Sequence, residues 1–242
     1  MDPDSCVNCL VEDCHIDVGD DGVSIKAYDV RGVGPAPSVN VTVRRTNVVS
    51  RNICVGGATE GGVRNILFED VQVGSPDVVT SPWAIKFKVD TGSLRNITFR
   101  RLRLGRIGDT PWMYPANAPG DAFHIDIVGK ASTEAWFSKC YNRSNESYTP
   151  DADCDDADRL FYASTDASTA SPPTMEGLTF EDISVVAVKS VGHIAGPAGS
   201  LIKNLTLRNI TVDNKPAAWG ACRNVDLSSL VVDGVSPPLV CT

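Results

Sequence analysis

Two adjacent carboxylates, Asp20 and Asp21, sit between Gly19 and Gly22. Successive side chains of a strand point to opposite faces, so this pair can address one cleft only where the backbone turns, and a glycine on each side permits the turn. Two acids sharing a pocket push their proton affinities apart, which lets one donate a proton while the other stays ionised. An exposed Gly-Asp-Asp-Gly turn is the alternative reading of the tetrapeptide. Three lysines are spaced to lie beside such a pair. Along 83–89, Ile85, Phe87 and Val89 alternate with Lys86 and Lys88, while Val23 and Ile25 alternate with Ser24 and Lys26. Lys26, Lys86 and Lys88 are therefore expected on the outward face of strands near the acids, unless each pairs with a neighbouring carboxylate.

Other residues with chemical potential are less convergent. His15, His124 and His193 are the only histidines, and of these His124 is the one candidate for lining a cleft. Asp151, Asp153, Asp155, Asp156 and Asp158 begin like a calcium loop, but no glycine stands sixth and no glutamate twelfth, so a solvated acidic loop is expected. Cys6 and Cys9 form a Cys-x-x-Cys with no second pair at zinc spacing, so neither a metal nor a cofactor is expected. Eight cysteines suit an oxidising compartment. Bridges are expected for Cys222–Cys241 and Cys140–Cys154, each closing a short segment, with a third local bridge through Cys14 or Cys54 left open. Of the Asn-x-Ser/Thr sequons, those at Asn40, Asn96, Asn204 and Asn209 fall in or beside strand repeats, which leaves Asn142 and Asn145 as expected glycan acceptors.

The elements that must position these groups are written as a repeat. Nonamers led by Asn8, Asn40, Asn65, Asn96, Gly177, Asn204 and Asn224 alternate apolar and polar residues around a central polar pair. All but one of the steps between them, the step from 96 to 177, suit a single turn of a solenoid. Each unit predicts a strand, a corner and a second strand, and further short alternating runs lie between the units. No long amphipathic helix is visible. The expected fold is an all-β parallel β-helix, one domain over 1–242, with 130–173 inserted as a surface loop. A net charge of −8 and the absence of a basic tract or a long apolar run argue against nucleic-acid and membrane partners.

Four segments in order resemble the polygalacturonases, the pectin-degrading glycoside hydrolases of family 28, especially plant-type members. Asp2–Cys6 is similar to the end of the family's Asn-Thr-Asp-Gly-x-Asp-Pro-Asp-Ser, and Val18–Lys26 to its Gly-Asp-Asp-x-x-x-x-Lys. Ile53–Asn65 is similar to the stretch running into Ser-Gly-Gly-Val-x-Asn, and Ala84–Lys88 stands where the family has Arg-Ile-Lys. The resemblance is strong over 2–104, moderate over 177–242 and absent over the insertion. It implies a right-handed parallel β-helix of the pectin-lyase-like kind and inverting hydrolysis of α-1,4-galacturonosyl linkages in pectin. In that scheme Asp20 protonates the leaving oxygen and Asp21 helps to activate water, with the two carboxyls about 6.5–9.5 Å apart. Lys26, Lys86 and Lys88 would meet the carboxylates of an acidic polysaccharide. A secreted, cell-wall monomer is implied, its signal peptide not present in this chain.

Three departures accompany the resemblance. A further catalytic carboxylate of the family would lie just before Met1, which implies an N-terminally truncated family domain. Ser50-Arg51-Asn52 stands where the family has Gly-His-Gly, and Lys86 replaces the arginine of Arg-Ile-Lys, losing its two-pronged geometry. They motivate a second expectation of another class, a catalytically inactive uronide-binding β-helix, and a third, a purely structural solenoid.

Overall fold

The structure is a computed structural model that describes residues 1–28, 34–81, 83–89, 92–108, 120–127, 141–142, 147–148, 173–188, 190–213, 222–228 and 231–235. In chain order the strands are β1 Val7–Glu12, β2 His15–Ile16, β3 Val23–Ile25, β4 Ser38–Arg44, β5 Asn47–Val48, β6 Ile53–Gly56, β7 Val63–Glu69, β8 Gln72–Val73 and β9 Val79–Ser81. They continue as β10 Trp83–Val89, β11 Ser93–Ile107, β12 Asp121–Ile127, β13 Tyr141–Asn142, β14 Ser147–Tyr148, β15 Thr174–Ala187, β16 Ser190–Val212, β17 Cys222–Ser228 and β18 Val231–Val235. Among the described residues every strand pairing is parallel except that of β13 with β14. Among the described residues there is no helix, and so none long and apolar enough to cross a membrane. An all-β stack of parallel strands at regular sequence steps is consistent with a parallel β-helix.

The nonamers form one wall, in the order β1-β4-β7-β11-β15-β16. Their leading Asn8, Asn40, Asn65, Asn96 and Asn204 all take left-handed φ values between 54° and 58°, a region asparagine tolerates better than most residues. Their amides run as a ladder in which Asn40, Asn65 and Asn96 each donate through Nδ2 to the Oδ1 of the preceding copy, at 2.9, 3.1 and 3.2 Å. The second residue of each polar pair, Asp13, Arg45, Asp70, Arg101 and Asp182, is again left-handed, and this is the expected corner between the two strands of a unit. Inward positions fall in register, so Val43, Phe68, Phe99 and Phe180 stack across adjacent strands. The Phe68–Phe99 and Phe99–Phe180 ring centroids lie 4.8 and 5.2 Å apart with the ring planes nearly parallel.

The second wall runs β3-β6-β10-β12-β16. Phe87 on β10 meets Phe99 and Phe180 edge-on at 5.7 and 6.2 Å, and Phe123 on β12 meets Phe180 at 5.0 Å. The two walls therefore face each other across one apolar interior. Residues 1–5 lie along the free side of β3: Ser24 and Lys26 donate their backbone N–H groups to the Met1 and Pro3 carbonyls at 2.9 and 3.0 Å.

The Cys6 and Cys9 side chains face each other as a close pair, with Cα atoms 6.1 Å apart. Cys14 and Cys54 are free thiols, so the third bridge left open for them does not form. Cys140, Cys154 and Cys241 lie outside the described residues, as do Asp151–Asp158, Asn145 and most of the expected insertion.

Candidate functional site

The acid doublet occupies the turn between β2 and β3. The Asp20 side chain is 80% exposed; its Oδ1 accepts the Asp21 backbone N–H at 2.8 Å and the Arg51 Nη1 at 3.1 Å. Asp21 is half-buried. The two glycines act differently from expectation, since neither adopts a positive φ. Gly22 is required for space, because a Cβ there would lie 2.2 Å from Val48 Cγ1, whereas Gly19 has open surroundings. Arg51 is thus the cation that holds Asp20.

Register sets the rest of the site. Ser24, Cys54, Lys86, His124 and His193 are successive partners across β3, β6, β10, β12 and β16. Two residues further along the strands Lys88 lies between Gly56 and Asp126. The inward neighbours Ile25, Val55, Phe87 and Ile125 are fully buried, which leaves the intervening column on the outer face.

Electrostatics show which charges share that face. Burial, together with the Asp21 carboxylate, pushes the Cys54 thiol up to about 12, against the opposing pull of the Lys86 ammonium, a Ser24 hydrogen bond and the Lys88 ammonium. Burial depresses Lys26, but its bond to Asp2 outweighs this and, with smaller help from Cys54 and Asp21, holds the ammonium above its ordinary range. Asp21, Lys86 and Lys88 thus act on the Cys54 thiol, of which Lys86 is the direct register partner. Lys26 is already engaged, its Nζ lying 2.7 Å from Asp2 Oδ2.

Sequence reasoning missed three members of a cluster next to Lys86. The Lys86 ammonium lies over the Trp83 ring, 3.9 Å from its centroid. Trp83 leans on His124 at 5.1 Å, His124 stacks on His193 at 4.9 Å, and His124 Nδ1 is 2.8 Å from Asp121 Oδ2. Trp83, Asp121, His124 and His193 are all buried. Of these only His124 was a candidate; the signal for His193, a histidine at the same point of a later strand, lies across the long step that interrupts the repeat. Among the described residues no group of three or more His, Cys, Asp or Glu is placed to hold a metal ion.

No family model matches the chain. It is similar to a probable polygalacturonase of Vitis vinifera, 34% identical over 76 residues that cover 29% of this chain and 16% of that relative.

Proposed function

We propose that this chain is a pectin-degrading glycosidase of polygalacturonase type, secreted to the cell wall and acting as a monomeric β-helix on an acidic polysaccharide. The observation that carries the reading is the register that sets Lys86 beside Cys54 and Lys88 two residues further on, with the Asp21 carboxylate acting on the same thiol. A wall of cations beside two carboxylates, on a protein of net charge −8, suits a polymer with a carboxylate on each sugar. The partial likeness to a protein named a probable polygalacturonase supports the same class.

In the reaction Asp20 gives its proton to the leaving glycosidic oxygen as the C–O bond breaks, and water attacks the anomeric carbon from the opposite side. Asp21 accepts the proton that water loses, so the products are an inverted hemiacetal and a free hydroxyl. Lys86 and Lys88 hold the uronate carboxylates across the strands. The test is release of reducing ends from polygalacturonate by the purified protein and its Asp20→Asn and Asp21→Asn variants. Loss of about 100-fold or more in kcat is expected from each; turnover untouched in Asp20→Asn removes it as the proton donor.

A second reading, a uronide-binding β-helix without turnover, is favoured by one observation: Arg51, a cation with no part in the catalytic scheme, is already bonded to Asp20 Oδ1. Binding without product release, abolished in Lys88→Ala, is the result that selects it.

A further inference from the structure

A lysine ammonium is a strongly hydrated point charge on a flexible four-carbon stem, whereas a guanidinium brings a rigid planar fork. A lysine that must hold an anion at one place therefore needs its surroundings to fix it. Lys86 has such surroundings. Its ammonium rests 3.9 Å from the centroid of Trp83, and tryptophan offers a cation the best of the aromatic faces.

The contact requires a break in the strand. Residues three apart on a regular strand point to opposite faces, so Trp83 and Lys86 would be separated by the sheet. Instead Ala84 and Ile85 are both fully buried in the core, which turns Trp83 outward beneath the lysine. The next strand repeats the device: Ala122 and Phe123 are consecutive core residues, and Asp121 and His124, again three apart, are bonded to each other. Asp121 thereby steadies His124, which stacks on His193 and supports the Trp83 ring. Two adjacent strands share one irregularity, and its product is a fixed aromatic floor under a single ammonium group.

We propose that Trp83 is a positioning residue that fixes Lys86 as the anchor for one carboxylate of a uronic-acid polymer, and so makes the site prefer free uronate to its methyl ester. This rests on the reading of the site as a uronide-binding wall. Trp83 acts through Lys86 and touches no reacting atom.

The experiment uses the full chain and the variants Trp83→Leu, Trp83→Phe, Lys86→Ala and the Trp83→Leu/Lys86→Ala double. Two quantities are read: the rate of reductive methylation of Lys86 relative to Lys203, an exposed lysine on the other wall, and the Kd for oligogalacturonate and for its methyl ester by calorimetry. In Trp83→Leu the relative labelling of Lys86 is expected to rise and oligogalacturonate binding to weaken, each by about two- to fivefold. Methyl-ester binding stays unchanged, and any turnover loses in KM and not in kcat. Trp83→Phe, which keeps a ring in the slot, recovers most of both effects and carries the test should Trp83→Leu fail to fold. On the Lys86→Ala background the Trp83→Leu change adds no further loss. Labelling of Lys86 that ignores Trp83→Leu, or a loss of binding as large without Lys86 as with it, overturns the proposal. Labelling that responds in a protein with no affinity for uronate keeps Trp83 as the positioner of Lys86 and overturns the uronate reading of the site.

Discussion

Gly56 offers a perturbation that reaches the site through the backbone alone. It sits on β6 opposite Lys88 with φ +122°, and a Cβ built there would lie 1.9 Å from the Lys88 carbonyl oxygen and 2.7 Å from its carbonyl carbon. Real Cβ atoms essentially never come within 3.0 Å of a neighbour, so Gly56→Ala must open the β6–β10 spacing by roughly 1 Å. Gly57, with φ +79° and nothing within 4 Å, is the matched control, since alanine there meets the conformational penalty without the clash. Left-handed alanine costs about 1–2 kcal/mol. Overpacking adds about 1–3 kcal/mol. Gly56→Ala is therefore expected to destabilise by about 2–5 kcal/mol and Gly57→Ala by about 1–2 kcal/mol. Urea unfolding followed by circular dichroism reads the difference as a shift in midpoint at constant slope. A displacement of about 1 Å at Lys88 also weakens any uronide turnover by up to about 100-fold, an effect Gly57→Ala does not share. Equal stability losses in the two variants would refute the close approach and, with it, the claim that strand spacing places Lys88.

Three other expectations are independent of it. Hydrogen bonds from Arg44 and Arg45 hold the Glu12 carboxyl below its ordinary 4.5, and one from Arg45 holds Asp13 below 3.8. Arg101 does the same for Asp70, while at Glu69 burial raises the carboxyl but Arg101 and Arg100 more than reverse it. With folded values lowered, this stability is complete above the ordinary values and is lost as pH falls through the folded ones, so Tm should drop between about pH 5 and about pH 3; a flat profile there contradicts the ladder. Iodoacetamide at pH 8 should label half-buried Cys14 and spare Cys54, whose thiol is buried and pushed up to about 12, until the chain is unfolded; peptide mapping that finds Cys54 alkylated in the folded protein contradicts its burial. Phe99→Ala removes the middle ring of the stack and the edge contact to Phe87, and should cost about 3–5 kcal/mol in chemical unfolding; a loss under about 1 kcal/mol would mean the rings do not stack.

The stacked wall was legible because its signals are local and repeated. An asparagine that can take a left-handed φ opens most units, and the polar pair supplies the second left-handed residue, so strand, corner and strand follow from nine residues. Lys86 and Lys88 were placed outward by the same two-residue period. What the sequence hid was set by departures from that period or by distance along the chain. The paired inward residues Ala84-Ile85 and Ala122-Phe123 read as ordinary apolar content, and only coordinates show that they turn Trp83 and Asp121 outward. His124 and His193 are register partners, but the long step between the units at 96 and 177 conceals their alignment. The glycines around the doublet were read as turn formers, although Gly22 is there to make room for Val48.

The two walls use the same register to opposite electrostatic ends. On the repeat wall Glu12, Arg44, Glu69 and Arg100 alternate in sign down one column, and Asp13, Arg45, Asp70 and Arg101 down the next. Each cation there meets a carboxylate on an adjacent strand, as do Arg208 and Glu181 further on, so the column presents little net field and fixes strand alignment. On the other wall Lys86 stands in register between Cys54 and His124, while Lys88 stands between Gly56 and Asp126. Spacing of about 4.8 Å brings each side chain within reach of its register neighbours, so what faces a cation across the strands decides whether it serves the fold or a ligand. By that criterion these repeat columns are spent on folding, and on the other wall it is Lys86, not Lys88, whose register partners are not carboxylates. Reversing Arg44 to Glu should then lower Tm and leave uronide affinity unchanged, while Lys86→Ala should do the reverse; a common effect of both on affinity would show that the walls are not electrically separate.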